Sequence, residues 1–474
     1  MSEARTGHAA EAVSRRDFLK TLGAGTSLAL LGAGVTNKFV LGQNPIKIGV
    51  VGPMTGWASV FGQRVVDGAR LVLEDHDYSY QGRSIQKLIT EDTKGQSDRT
   101  VEILDAFKNR DQVDAVIGPS LGNEGLAMAD WAKNNQDVPI LVGYSAPEDI
   151  TMRDHSHNVL RPGWTGSQVI FHFGRYVSQE LDYNKVIMVG QDYSYPWGQA
   201  AGFIRGFLEN GGQEVKRIWH PVEQLDFGSM MGQLQGMSGD YDAVIYNGGG
   251  AQVVAFFKAW VQYGMKNFYP KLLGGANITD LTILSDLGPQ AEDMQSSKHY
   301  VDTLGNQYNQ EFRDDFYERY GRYPSAVALQ GHDAMLAILR ALEDVDGEIE
   351  ATGDFIDALY DVELEESPSG PWYFDDFGNA VRNIYIRTVN EVDGELQNAT
   401  LRTYPEVSQF GPYVGMEEEY MSQPAHARDY PPSNRDEFLQ EVEKYFGEDY
   451  VQKLEENDGW WGEAVEYYEG EYTQ

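Results

Sequence analysis

The chain has no cysteine. Disulfides and thiolate metal ligands are thereby excluded, and attachment through a lipidated cysteine is not expected. Long apolar runs are also missing. Residues 22–35 form an apolar stretch, but it is shorter than the ~20 residues that span a bilayer. Every apolar run after Pro45 is strand-sized. Basic residues are few: 37 Lys and Arg stand against 73 Asp and Glu, a formal charge of -36. Such a surface repels phosphate backbones, so no nucleic-acid partner is expected. The acids are spread through every segment rather than gathered in one tail. Dispersed acidity of this kind predicts adaptation to high salt, where screening relieves self-repulsion. The expected result is a higher melting temperature in multimolar salt than in dilute buffer; equal melting in both would refute it. Histidine is sparse, with nine in the chain. His155 and His157 flank Ser156 beside Asp154 at a spacing that a metal pair could use. No third His lies nearby, so a polar loop is expected, with no metal and no cofactor.

Near the start stands Ser14-Arg15-Arg16-Asp17-Phe18-Leu19-Lys20, directly ahead of the Gly- and Ala-rich residues 22–35. Paired arginines before a short, weakly apolar, removable segment make an export address. The run resembles the twin-arginine signal at each defined position, which implies the twin-arginine export machinery as a partner. Residues 1–43 are assigned to this signal, and the folded part is expected outside the cytoplasmic membrane. The protein is then periplasmic or extracellular, soluble, or anchored if the signal stays uncut.

Beyond residue 44 the pattern is strand, then helix, repeated. Residues 46–51 form a β-branched apolar run closed by Gly52-Pro53, a buried strand. Helical spacing follows over 65–73. Strands are then expected at 85–90, 114–118 and 139–142, with helices at 101–107 and 124–131. A second series places strands at 185–190, 215–219, 242–246 and 271–274, separated by helices at 198–208, 229–237 and 252–263. Strands alternating with helices of 10–15 residues predict parallel sheets. The expected class is α/β: two doubly wound, Rossmann-like lobes. The first lobe takes 44–161 and the second 162–288. Long helices at 308–320 and 326–342 predict a return to the first lobe over 289–365. A strand pair predicts a return to the second over 366–402. Several crossings make a hinge. Residues 403–474 form an acidic, aromatic extension. A helix is expected at 438–445, and the aromatics Trp460, Trp461, Tyr467 and Tyr468 are expected to pack back on the body, with partner binding the other reading.

Enzyme signatures are incomplete. Gly143-Tyr144-Ser145-Ala146-Pro147 lacks the closing Gly of a nucleophile elbow. Gly248-Gly249-Gly250 lacks the Lys of a phosphate loop. The loops at strand ends are more informative, because open α/β lobes bind ligands beyond the carboxyl ends of their strands. These loops carry Trp57; Ser120, Leu121, Gly122 and Asn123; Tyr144 and Ser145; Tyr193, Tyr195 and Trp197; Gly249; and Asn277. Helix-start N–H groups and hydroxyls favour an anion, and Tyr and Trp supply flat walls with polar edges. These residues are the candidate ligand site.

The runs at 46–56, 116–120 and 145–148, with Gly370-Pro371 and Phe377-Gly378-Asn379, give the chain a family resemblance. Between about residues 46 and 400 it resembles a type I periplasmic solute-binding protein of the branched-chain amino-acid group. The resemblance implies two lobes joined by three crossovers, no enzymatic activity, and closure on a small-molecule ligand. It also implies delivery to the permease of an ABC importer by a monomeric binding protein. It puts the ligand's acid head at the loops 120–123 and 143–145, with Ser145 at the family's hydroxyl position. Where an acid normally pairs with the ligand's ammonium, this chain has Ala276 beside Asn277. The expected ligand therefore has an acid or amide head on a flat or apolar body. Aromatic acids come first, amides and urea-like compounds second, branched-chain amino acids third. A ligand-sensing receptor component and a hydrolase on similar lobes are the alternative readings.

Overall fold

Five parallel strands build the first sheet. The structure, a computed structural model, describes residues 44–456 apart from Gln81 and Asp393. The twin-arginine run and the aromatics at 460–468 lie outside the described residues. Strands β1 (Ile48–Gly52), β2 (Ile89–Asp92), β3 (Ala115–Ile117), β4 (Ile140–Leu141) and β5 (Val159–Leu160) take the order β2-β1-β3-β4-β5. Every residue of β1 and β3 is buried, as expected of strands covered on both faces. Helices α1 (Ser59–Asp75), α2 (Ser97–Ala106) and α3 (Gly122–Ala132) make the connections.

The chain then enters a nine-stranded sheet. After α4 (Phe171–Gln179) come β6 (Lys185–Gln191), α5 (Ser194–Glu209), β7 (Glu214–His220), α6 (Gly228–Met237), β8 (Ala243–Asn247), α7 (Ala251–Gln262), β9 (Leu272–Gly274) and β10 (Gln295–Lys298). Helices α8 (Gln307–Tyr320), α9 (Ala326–Asp344) and α10 (Thr352–Tyr360) follow. The chain rejoins the second sheet as β11 (Glu363–Leu364), β12 (Trp372–Phe374), β13 (Ala380–Val392) and β14 (Glu395–Val407). The order is β11-β12-β13-β10-β9-β8-β6-β7, with β14 paired to β13. Strands β6 to β10 run parallel, and β13 is antiparallel to β10, β12 and β14.

Helix α9 returns to the first lobe and crosses α1 at close range. A Cβ on Gly68 would lie 1.8 Å from the Ala328 carbonyl oxygen, and one on Gly331 would lie 1.9 Å from that of Val65. Only glycine at both positions lets the two backbones touch.

Three boundaries differ from the sequence reading. The return to the first lobe was set at residue 289, yet β10 still belongs to the second sheet, so the chain leaves that sheet after Lys298. The second-lobe return, set at residue 366, already includes β11, which pairs with β12. The extension was begun at residue 403, but β14 runs on to Val407, which pairs with Arg382. A polar strand sequence and a register shift hide these edges.

The chain passes between the sheets three times, and a buried ion pair sits among the passages. Arg382 of β13 is 1% exposed and Asp333 of α9 0%, with Nη2 and Oδ2 3.1 Å apart. Arg382 Nη1 donates to the Pro162 carbonyl at 2.7 Å, and Nη2 donates to Ser369 Oγ.

The extension packs on the second lobe through α11 (Glu417–Ser422), α12 (Arg435–Phe446) and α13 (Glu448–Glu456). Its residues Tyr413, Tyr420, Phe438, Val442 and Leu454 join the main core. The Arg205 guanidinium of α5 lies 5.7 Å from the Tyr413 ring, 5.3 Å from Tyr420 and 6.0 Å from Phe438. One turn on, buried Glu209 accepts from the Tyr413 and Tyr450 hydroxyls. The extension also meets the first lobe: Thr151 Oγ1 donates to Gln409 Oε1 at 2.8 Å, and Arg153 to the Gln423 carbonyl at 3.0 Å. At the sheet margin, Val215 N–H donates to the Ser433 carbonyl at 2.8 Å. Arg217 donates there to the carbonyls of Asp429 and Pro431. Among the described residues no helix is long and apolar enough to cross a membrane.

Candidate functional site

The loops that follow β3 and β4 in one lobe, and β6 and β9 in the other, converge on one recess. It measures about 310 Å³ with its open mouth included. The first lobe contributes Phe61 from the start of α1, Ser120, Leu121 and Gly122 at the start of α3, Tyr144 and Ala146 after β4, and Trp164 from the first crossover. The second lobe contributes Tyr193 and Tyr195 at the start of α5 and Asn277 after β9. The lobes approach closely here. A Cβ on Gly122 would fall 2.4 Å from Ser194 Oγ.

The walls are aromatic. Phe61 stacks on Tyr144 with centroids 5.7 Å apart. Tyr144 meets Trp164 edge-on at 5.3 Å, and Trp164 meets Tyr195 edge-on at 5.9 Å. Burial pushes the phenols of Tyr144, Tyr193 and Tyr195 above their ordinary range. They stay neutral and keep their O–H donors at physiological pH.

The polar groups are mostly donors. Helix α3 opens with Glu124 folded back on its own start, where it accepts from the Leu121 N–H at 3.0 Å and from Thr93 Oγ1. That carboxylate satisfies helix-start amides, and burial raises its pKa against these hydrogen bonds. Among the described residues Ser120 Oγ is buried with no protein partner, and Tyr195 Oη is buried beside the Asn277 N–H with no acceptor for its own proton. Such groups are costly to leave unpaired, so they are poised for a ligand.

Behind Asn277 stands Lys298, the last residue of β10, with no exposed surface. Its Nζ lies 2.6 Å from Tyr144 Oη, 2.7 Å from Asn277 Oδ1 and 3.8 Å from the Trp164 ring centroid. Tyr144 Oη donates to the same Asn277 oxygen at 2.9 Å. Burial pushes the Lys298 ammonium well below its ordinary pKa, and Asp280 opposes the shift.

Seven residues singled out from the sequence line the recess: Ser120, Leu121, Gly122, Tyr144, Tyr193, Tyr195 and Asn277. Five do not. Trp57 is 43% exposed, beside Gly250. Asn123 turns away, donating to Gly95 O and Ser97 Oγ at 3.1 Å. Ser145 Oγ donates to the Leu121 carbonyl at 2.8 Å and so braces the loop from beneath. Trp197 donates to Asp192 Oδ1 at 3.0 Å. Gly249 lies behind Phe61, its N–H bound to Gln191 Oε1 at 2.8 Å. Ala276 is buried, its N–H held by Gln199 Oε1 at 2.9 Å. Phe61, Ala146, Trp164 and Lys298 were missed. The Trp164 signal was present, a large aromatic between Gly163 and Gly166 at a lobe crossing. His155 and His157 take separate partners, Tyr360 Oη at 3.0 Å and Asp357 Oδ1 at 2.9 Å.

Residues 45–395 match the family described as periplasmic binding protein. A curated relative, the Leu/Ile/Val-binding protein homolog 6 of Brucella melitensis biotype 1, is 24% identical over 371 residues, covering 76% of this chain and 91% of the relative. Among solved structures, an ABC transporter substrate-binding protein from Sphaerobacter thermophilus aligns with a TM-score of 0.73 and 25% identity, covering 77% of this chain and 99% of its own. A solute-binding protein of an ABC transporter from Rhodopseudomonas palustris BisB5, in complex with 3,4-dihydroxy benzoic acid, aligns with a TM-score of 0.72 and 25% identity over 77% of this chain and 98% of its own.

Proposed function

The chain belongs to the periplasmic binding protein family, and on that premise we propose that it captures a small aromatic carboxylate between its lobes and delivers it to the permease of an ABC importer. In this reading residues 1–43 carry the protein out of the cytoplasm by the twin-arginine route. The lobes close on the ligand by hinge rotation.

One observation carries the choice of ligand: the recess combines stacked aromatic walls with hydrogen-bond donors that have no protein acceptor. Phe61, Tyr144 and Trp164 accept a flat ring. Ser120 Oγ, Tyr195 Oη and the Asn277 amide answer a carboxylate. Among the described residues no acidic side chain lines the recess, so the ammonium of an α-amino acid would be buried without a counter-charge, which is costly. The relative crystallised with a dihydroxybenzoic acid supports the same class.

Thermal shift against benzoate, 4-hydroxybenzoate, 3,4-dihydroxybenzoate, benzamide and leucine tests the proposal. A ligand at 100 times its Kd adds about 2.7 kcal/mol of stability. A clear shift with at least one benzoate is expected. A shift with leucine alone would overturn the assignment. Product formation during the incubation would point instead to a hydrolase.

A further inference from the structure

A fully buried lysine, Lys298, stands directly behind the recess wall. Lys298 meets the cleft lining at Tyr144, Asn277 and the Trp164 ring. Asn277 Oδ1 accepts from Lys298 and from Tyr144, so the carbonyl end of the amide is fixed toward the ammonium. Its Nδ2 has no protein acceptor among the described residues and is the end left for the recess. The neighbouring charges are otherwise engaged. Arg387 spends its donors on Ser296 Oγ, Tyr300 O and Ala276 O. Asp280 Oδ1 accepts from the Thr282 N–H at 3.0 Å, and Glu124 is bound within the α3 start.

Resting on the reading that the cleft receives a small aromatic solute, we propose that Lys298 is its specificity-determining residue, selecting an anionic head group over the corresponding neutral amide. Two effects act together. The ammonium turns Asn277 so that N–H groups, not a carbonyl, meet the ligand. It also places a positive charge one side chain behind the head group, where little water screens it. A carboxylate accepts from every donor on that side. A carboxamide brings two N–H groups of its own against donors, a mismatch that discriminates without any steric change. Nζ is held by two neutral groups, Tyr144 Oη and Asn277 Oδ1, so an incoming anion supplies a counter-charge that they cannot.

The test is calorimetric titration of the full chain with benzoate and benzamide, for the wild type, Lys298→Met and Lys298→Gln. The wild type is expected to prefer benzoate. Lys298→Met should weaken benzoate binding by about 10- to 100-fold, the scale of one charge-assisted contact. Benzamide should bind as well as before or more tightly, because Asn277 is then free to turn its carbonyl toward the amide, and an unchanged circular dichroism spectrum reports that the variant is folded. Lys298→Gln keeps a hydrogen-bonding side chain without charge, and it should lose the preference to the same extent. A benzoate-to-benzamide ratio unchanged in either folded variant overturns the role of Lys298 alone. Failure of the wild type to bind any aromatic probe overturns the reading of the cleft, and this inference with it.

Discussion

Replacing Asp333 with alanine should lower stability by about 3–5 kcal/mol, the cost of leaving a buried cation unpaired. The Arg382 guanidinium lies 1% exposed among three segments that pass between the lobes, and Asp333 is its carboxylate partner. Its remaining bonds go to the Pro162 and Gly163 carbonyls and Ser369 Oγ, neutral groups that cannot balance the charge. Burial already depresses the Arg382 pKa against the pull of Asp333. Urea unfolding of Asp333→Ala, Arg382→Met and the double variant measures the coupling. The double variant should be at least ~2 kcal/mol more stable than the two single losses add up to, because removing both charges removes the desolvation cost as well. Strictly additive losses would mean that the pair does no more than fill space.

Arg205→Ala should cost a similar amount, about 3–5 kcal/mol, and it should release the C-terminal extension. Three rings from the extension lie within 6.0 Å of this guanidinium, and its Nη2 donates to Gln423 Oε1 at 2.7 Å. Limited proteolysis with mass analysis reads the release directly. The variant should be cut within residues 408–434 under conditions that leave the wild type whole. Unchanged resistance of that segment would sink the idea that Arg205 anchors it.

The strands of both sheets were legible where burial on two faces demands unbroken apolar runs, as in β1, β3, β6 and β8. Strand β10 was not. Its sequence Gln295-Ser296-Ser297-Lys298 reads as a loop, yet all four residues are buried. Local chemistry offers no hint of this, because the compensation comes from afar: Ser296 Oγ pairs with Thr279 Oγ1 at 2.7 Å, and Ser297 Oγ donates to the Val169 carbonyl. Lys298 was hidden for the same reason. The site loops were legible in outline, since strand ends can be counted. Which way a side chain turns depends on partners distant in sequence. Ser145 and Asn123 sit in the right loops but are bound to Leu121 and Gly95. Phe61 reads as an ordinary helix residue until Tyr144 is brought against it.

The residues that follow β14 also hem the open side of strand β7. A strand at a sheet's border offers a row of free amides and carbonyls, and an uncovered row invites a neighbouring molecule to zip onto it. Here the Val215 amide is already bound to Ser433, and Arg217 is fastened to Asp429 and Pro431. A shortened chain would bare that border, so it should clump in concentrated solution.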